Sequence, residues 1–214
     1  FCGETVNLAV ADILTGKVCP SGKLAETFPL SIADTVAYPY EPNGYYDRYE
    51  DGIFVGYRRY DRDGTEVLFP FGYGLSYANF VYSDLVVQKA GETSFMLSFD
   101  VENLSSVSGK EVVQVYVKDI VSSVSRPEKE LKGFVKKLIE AGKKERITIR
   151  LEADAFAFYS AALDEWYVEN GDYEIQIGSS SRDIRLKARV KIELPPESQY
   201  TVEKADLREI GSET

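Results

Sequence analysis

The sequence predicts a mainly β protein, in which a two-sheet β-sandwich follows a shorter segment of mixed character. Three observations carry this prediction. After residue 78, apolar and β-branched residues recur in short runs that are typical of strands. Turn-forming residues cluster between those runs, at the spacing of a sandwich of about 100 residues. Before residue 78 the pattern changes to helical spacing and then to interleaved glycines and aromatics.

The first predicted element is a short helix. Apolar residues recur at helical spacing from Val6 to Leu14, and Gly16 stands where a helix end is expected. Residues 20–22, Pro-Ser-Gly, then indicate a turn, and residues 25–30 indicate a brief extended segment. We expect residues 17–77 to be mostly loop with short strands.

The remaining predicted elements are strands with turns between them. Val113, Val115 and Val117 should point to one face of their strand, because side chains alternate along it. After Leu194, two prolines should end the sheet, and residues 197–214 are polar with one possible helical turn at 202–210. The predicted strands are residues 95–101, 112–117, 131–134, 147–151, 166–168, 173–177 and 184–192, and the turns are 103–109, 141–143, 170–172 and 179–183.

Composition and charge restrict the function. The hydrophobic content of 44% favours real cores over disorder. A net charge of −10 disfavours nucleic acid and anionic membranes as partners, while a neutral ligand such as a sugar stays possible. The sequence has no run of 18 apolar residues that would predict a membrane span. It contains no histidine and only two cysteines, Cys2 and Cys19, so we expect no metal site. A Cys2–Cys19 disulfide is possible, but buried free thiols are the preferred interpretation.

Residues 49–77 are unusually rich in aromatics and glycines. The stretch reads YEDGIFVGYRRYDRDGTEVLFPFGYGLSY, so large flat side chains alternate with positions where backbone can approach closely. This pattern suits a segment threaded between domains. A glycine-rich loop with its own small aromatic cluster is the alternative that composition alone leaves open.

Three strings resemble a known family. YEDGIFVGYRRYD and FPFGYGLSY resemble the signature that closes the α/β sandwich domain of glycoside hydrolase family 3, the β-glucosidase and β-xylosidase family. Residues 11–29, ADILTGKVCPSGKLAETFP, resemble the segment of that family that ends in Pro-Ser-Gly-Lys-Leu, and residues 80–186 resemble its fibronectin type III-like domain. The resemblance runs in the family's own order over most of the chain.

The resemblance implies a division of the chain into three parts. Residues 1–77 would be the C-terminal remnant of an α/β sandwich domain with its connecting loops. Residues 78–194 would form an immunoglobulin-like, fibronectin type III-like β-sandwich, and residues 195–214 a polar tail or linker. Because the first part lacks most of the sheet it should pack on, we expect it to expose an apolar face. That face would bind the remainder of the enzyme, or a second copy of the chain in a homo-oligomer.

The residues that would perform catalysis in this family are not recognisable in the sequence. A retaining glycosidase needs a nucleophile and an acid/base, two carboxyl groups about 5 Å apart. The resemblance implies an Asp nucleophile in a Ser-Asp-Trp type motif of a separate barrel domain, and a Glu acid/base in a Gly-Glu-x-x-Asp-Arg type segment. Neither motif occurs here. We therefore assign no catalytic, substrate-binding or metal-ligating residue, and interpret the acidic strings Glu50-Asp51, Asp61-Arg62-Asp63 and 128–130 as solvated surface or local ion pairs.

Three further side chains are weighed as candidates. Glu4 could stand behind the acid/base of the parent enzyme, although an acid near a helix N-terminus is the preferred interpretation. Lys23 and Arg58 could pair with acids between the sandwich and barrel domains, but we favour a role in anchoring loops within one domain.

The resemblance therefore predicts a non-catalytic C-terminal portion of a retaining β-glycosidase of the β-glucosidase type. The parent would hydrolyse terminal β-linked sugars of oligosaccharides or glycosides, and this portion would hold its catalytic domains in place. The resemblance implies no cofactor. The alternative is a stand-alone β-sandwich module for carbohydrate binding or adhesion, without hydrolase activity.

Overall fold

The computed structural model describes residues 5–35, 37–39 and 51–195, and within them the chain forms two α-helices and eleven strands. The helices are α1 (Val6–Leu14) and α2 (Tyr57–Arg62). The strands are β1 (Phe28–Pro29), β2 (Val67–Phe69), β3 (Phe80–Lys89), β4 (Phe95–Asn103), β5 (Gly109–Asp119), β6 (Glu130–Ile139), β7 (Lys144–Leu151), β8 (Phe158–Ser160), β9 (Glu165–Tyr167), β10 (Gly171–Gly178) and β11 (Ile184–Ile192).

Seven antiparallel strands form the predicted sandwich. One sheet has the order β11-β10-β5-β6, and the other has the order β3-β4-β7. Their inner faces share one core, with Leu97 and Phe99 of β4 opposite Val115 of β5 and Ile175 of β10. The four-plus-three arrangement is that of an immunoglobulin-like fold. The predicted fold class is therefore confirmed.

Aromatic rings fill one end of this core. Phe156 lies edge-to-face between Phe95 of β4 and Tyr173 of β10, with centroid distances of 5.4 and 5.2 Å. All three rings are buried. Because edge-to-face pairs add attraction beyond buried area, they stabilise the contact between the two sheets at this end.

The N-terminal part packs along the sandwich without a large sheet of its own. Strand β1 pairs with β2 to form a two-stranded sheet, and a 3₁₀ turn at Ile32–Asp34 is capped by Ser31. None of the nine residues of α1 is buried, and Leu8, Val10 and Leu14 are exposed. The predicted exposure of apolar side chains is therefore confirmed for this helix.

Several predicted boundaries agree with the structure. Helix α1 spans the predicted residues, and Gly16 just beyond it has φ +74°, a left-handed conformation that glycine adopts without strain. Strand β11 spans 184–192 as predicted, while β6 extends beyond the predicted 131–134 and β9 lies one residue before the predicted 166–168.

Three elements were not predicted from the pattern: β3, β8 and α2. In β3, the pairing with β4 shifts between Ser83 and Val86, and Asp84 has φ +55°, so a bulge breaks the alternation of buried and exposed positions. Helix α2 reads YRRYDR, which has no apolar periodicity. Its contacts with the sandwich, described below, hold it in place.

Some sequence predictions fall on residues that the structure does not describe. Cys2, Glu4, Glu50 and residues 196–214 lie outside the described ranges. The interpretation of Glu4 and the helical turn at 202–210 therefore stay predictions, as does the division of the chain into three parts.

Candidate functional site: a docking interface on the outer face of the sandwich

Strand β5 is buried on both of its faces. Val113, Val115 and Val117 enter the sandwich core, as predicted. Gln114 and Tyr116 point to the opposite face of the sheet and are also buried. The outer face of an antiparallel sheet is commonly solvated, so burial there requires a cover. The cover is the N-terminal part of the chain, and we call this contact the docking interface.

An aromatic cluster lies at the centre of the docking interface. The ring of Tyr57 in α2 stacks on Phe71 at 4.7 Å and meets Tyr116 of β5 edge-to-face at 6.1 Å. The Tyr57 hydroxyl accepts a hydrogen bond of 2.9 Å from the backbone N–H of Leu131 in β6. Burial raises the pKa of Tyr57 and of Tyr116, so both phenols stay neutral.

Gly72 permits the backbone to lie against β5. The side-chain amide of Gln114 donates hydrogen bonds to the carbonyls of Gly72 at 3.0 Å and Ser179 at 2.7 Å. Gly72 has φ +79°, and a Cβ at this position would overlap the Gln114 side chain. The Ser181 N–H also donates to the Phe71 carbonyl at 2.9 Å. Both a positive φ and a close approach therefore require glycine here.

Asp61 connects α2 to two separate places on the sandwich. Its carboxylate oxygens lie 2.8 Å from Nζ of Lys129 and 3.0 Å from Nε of Arg182. Arg182 also donates to the Tyr60 carbonyl at 3.0 Å. The Asp61 side chain is only 5% exposed. One buried carboxylate thus pairs with two cations that are far from it in sequence.

A second ion-pair cluster lies at the other end of α2. Arg58 pairs with Glu130 of β6 at 2.8 Å, and Glu130 also contacts Arg126 at 3.4 Å and Lys132 at 3.5 Å. Burial lowers the pKa of Lys132, and Glu130 opposes that shift. Arg126 also pairs with Asp119 at the end of β5, at 3.2 Å. The cluster links α2 through β6 to the end of β5.

The buried carboxyl of Asp119 is electrostatically unusual. Burial raises its pKa to about 6, Arg126 opposes the rise, and the nearby Glu169 carboxylate adds to it. Glu169 in turn accepts hydrogen bonds from Ser122 and Ser123, in the loop between β5 and β6. Two acids and one arginine therefore share this end of the sandwich.

The interpretation of the acidic strings as solvated surface or local pairs is wrong for Asp61 and Glu130. Both are largely buried, and they pair with cations of another part of the chain. Local sequence shows neighbouring charges but not that α2 lies on the sheet. The interpretation holds for Asp63, which pairs with Arg59 and Arg62, and for exposed Glu128, which pairs with Lys118.

Lys23 and Arg58 both join the N-terminal part to the sandwich. Lys23 lies 3.7 Å from Glu111 of β5, which also accepts a hydrogen bond of 2.8 Å from the Tyr82 hydroxyl. Burial lowers the pKa of Lys23, and Glu111 opposes the shift. The preferred expectation, anchoring within one part, is wrong for both cations, since they pair with acids beyond the predicted boundary at residue 77. A cavity of about 300 Å³ lies beside Lys23.

The N-terminal part has many large apolar side chains that the sandwich does not cover. Tyr77 donates a hydrogen bond of 2.8 Å to the Ile13 carbonyl, so the end of this part holds α1. Cys19 is a free thiol, half-buried against the sandwich core. We call these exposed side chains together the apolar surface; they include Leu8, Val10, Leu14, Val18, Phe28, Leu30, Ile32, Ile53, Val55, Leu68 and Leu75.

Two searches of the described residues bear on other functions. Among residues 5–35, 37–39 and 51–195, no three His, Cys, Asp or Glu side chains lie close enough together to hold a metal ion. In the same part of the chain, every helix is too short or too polar to cross a membrane.

Comparison with known proteins adds two family matches. Residues 1–77 match the model of the glycosyl hydrolase family 3 C-terminal domain. Residues 111–181 match that of the fibronectin type III-like domain.

Individual relatives are longer than this chain. It is 49% identical over 195 residues to thermostable β-glucosidase B of Acetivibrio thermocellus, a match covering 89% of the chain and 26% of the relative. It is 44% identical over 193 residues to an exo-α-(1→6)-L-arabinopyranosidase of Bifidobacterium breve, covering 89% and 25%. The chain thus spans about a quarter of the length of these relatives.

Solved structures agree with the fold. A family 3 β-glucosidase of Bifidobacterium adolescentis superimposes with a TM-score of 0.82 at 41% identity, covering 92% of this chain and 30% of the other. A β-glucosidase of Kluyveromyces marxianus in complex with glucose gives a TM-score of 0.82 at 41% identity, covering 87% and 22%.

Proposed function

Because the chain belongs to glycosyl hydrolase family 3, we propose that it is the non-catalytic C-terminal portion of a retaining β-glycosidase. In this proposal, residues 1–77 are the end of the α/β sandwich domain and residues 78–194 the fibronectin type III-like domain. Residues 195–214 are a tail or linker. The chain's task is to hold the domains that carry nucleophile and acid/base.

The docking interface is the observation that carries this proposal. Catalysis by two carboxyl groups from different domains depends on a fixed distance between them. The docking interface must therefore be rigid to keep this distance fixed. Asp61, Tyr57 and Gly72 each make contacts that would be lost if the interface shifted. Buried ion pairs and hydrogen bonds of this kind specify one arrangement more strongly than apolar packing alone.

The apolar surface supports the proposed partner, which is the remainder of the same enzyme. Exposed large side chains occur along α1 and in the loops after it. A large exposed apolar area on a soluble protein commonly marks an interface. The relatives extend over about four times the length of this chain, so they contain further polypeptide that could cover it. A second copy of the chain is the other possible cover.

The proposed reaction of the parent is hydrolysis of a terminal β-linked sugar with retention of configuration. Glucose is the favoured sugar, because several relatives are named β-glucosidases. An α-linked L-arabinopyranoside is the second candidate substrate, because a relative of 44% identity is named an exo-α-(1→6)-L-arabinopyranosidase. The catalytic carboxylates would come from the remainder of the parent. A stand-alone binding module is less well supported, since the match to enzymes runs through both parts of the chain.

Expressing the 214-residue chain and the remainder of the same enzyme as two polypeptides tests the proposal. We expect each alone to leave an aryl β-D-glucoside intact, and we expect the two together to co-elute and hydrolyse it. Hydrolysis by the chain alone, or two folded parts that do not associate, would contradict the proposed role.

A further inference from the structure

The β8–β9 hairpin presents two aromatic rings to solvent. Tyr159 and Trp166 are cross-strand partners on it, with ring centroids 5.7 Å apart and an interplanar angle of 78°. Trp166 is 70% exposed and Tyr159 is 51% exposed. Trp166 is also the only tryptophan of the chain. Burying such rings is normally favourable, so their exposure as a pair calls for an explanation.

The opposite face of the hairpin is fixed to the sandwich. Phe158 and Tyr167 meet edge-to-face at 5.6 Å on that side, and Tyr167 is buried. The Arg126 guanidinium lies 5.3 Å from the centroid of the Phe158 ring and donates to the Phe156 carbonyl at 3.2 Å. The two exposed rings therefore stand on an anchored support, which lowers the entropy lost when a ligand binds.

Charge around the rings restricts the ligand. Residues 158–167 contain two acids, Asp164 and Glu165, and no lysine or arginine. The Tyr159 hydroxyl donates a hydrogen bond to the Asp164 carboxylate. Aromatic rings also stack on nucleic acid bases, but a phosphate backbone would meet acids here instead of cations. Carboxylates accept hydrogen bonds from a ligand rich in hydroxyl groups.

We propose that the β8–β9 hairpin binds a neutral saccharide chain through Trp166 and Tyr159. The apolar face of a sugar ring packs on the exposed indole, while a hydroxyl group of the same or the next sugar donates to Asp164. This site goes beyond the proposed supporting role, because it would bring the chain to an oligosaccharide or polysaccharide independently of the catalytic groups.

Intrinsic fluorescence tests this proposal directly, because Trp166 is the only indole of the 214-residue chain. Titration with cellohexaose should shift the emission to shorter wavelength and protect it from acrylamide quenching, both in a saturable way. Tyr159→Ala should weaken the apparent affinity about tenfold, whereas Phe134→Ala, at another exposed ring on β6, should leave it unchanged.

Retardation in a native gel that contains soluble β-glucan extends the test to variants without the indole. Trp166→Ala should remove the retardation, while its far-ultraviolet circular dichroism should match that of the unchanged chain. No spectral change with cellohexaose and no retardation in glucan would overturn the proposal. A shift that follows protein concentration in the absence of saccharide would also overturn it, because the rings would then belong to a contact between copies.

Discussion

Replacing Asp61 with alanine removes the carboxylate that Lys129 and Arg182 share across the docking interface. Lys129 is 12% exposed, so its charge would be left largely buried without a partner, and breaking a buried pair costs about 3–5 kcal/mol. Arg182 is 32% exposed, so water takes over most of its interaction, which adds at most about 1 kcal/mol. Taking the lower end for a pair that water can partly reach, we expect about 3 kcal/mol, or about a hundredfold.

Amide hydrogen exchange measures this cost at the interface itself. The Ser181 N–H donates to the Phe71 carbonyl across the docking interface, so its exchange reports how often the two parts separate. We expect exchange of this amide to accelerate about a hundredfold in Asp61→Ala.

Asp63→Ala is the matched control, because it removes a carboxylate two residues away that is 34% exposed and pairs only with arginines of its own segment in the described structure. Because water screens this exposed carboxylate, its removal should accelerate exchange of the Ser181 amide far less than Asp61→Ala does. Equal exchange in the two variants would refute the assignment of Asp61 as a central contact of the interface.

Three other perturbations test separate contacts. Tyr57→Phe leaves the Leu131 N–H without its acceptor and should lower stability by about 1–2 kcal/mol in urea denaturation, and no loss would contradict that role. Gly72→Ala should destabilise by several kcal/mol through overlap and strain, whereas Gly64→Ala, with a positive φ but open space, should cost about 1 kcal/mol; similar losses would remove the close approach as a cause. The pKa of Asp119 is raised from 3.8 to about 6 in the folded chain, so the folded chain binds the proton more tightly than the unfolded chain. The resulting stabilisation is present below pH 4 and is lost as pH rises through 6. Unfolding free energy should therefore fall by on the order of 2 kcal/mol from pH 4 to 7, and Asp119→Asn should flatten the profile; an unchanged profile in the variant would contradict this origin.

The sandwich was predictable because its signals are local. Strand-forming runs such as 184–192 are bounded by turn residues that are close in sequence, and α1 shows its helical period within nine residues. Val113, Val115 and Val117 could be assigned to one face by alternation alone. Strand β3 escaped prediction because its bulge at Asp84 interrupts that alternation.

The docking interface could be predicted only in part. The density of aromatics and glycines in residues 49–77 indicated a segment between domains. The ring of Tyr57 in α2 does stack on Phe71 and contact the sandwich. The partners of Asp61 could not be found from sequence, because nothing local relates it to Lys129 or Arg182. Gln114 is buried although it lies on the outer face of its strand, and this burial reveals the docking interface. It appears only when the N-terminal part and the sandwich are folded together, so the sequence alone does not show it.

Assaying the 214-residue chain alone against an aryl β-D-glucoside tests the central claim most directly. The mass of the purified protein, 24.0 kDa, should first be verified so that no longer glycosidase contributes. A supporting portion without nucleophile and acid/base should give no hydrolysis above the spontaneous rate. Turnover that follows the 24.0 kDa chain through purification, and is lost when that chain is unfolded, would contradict the claim.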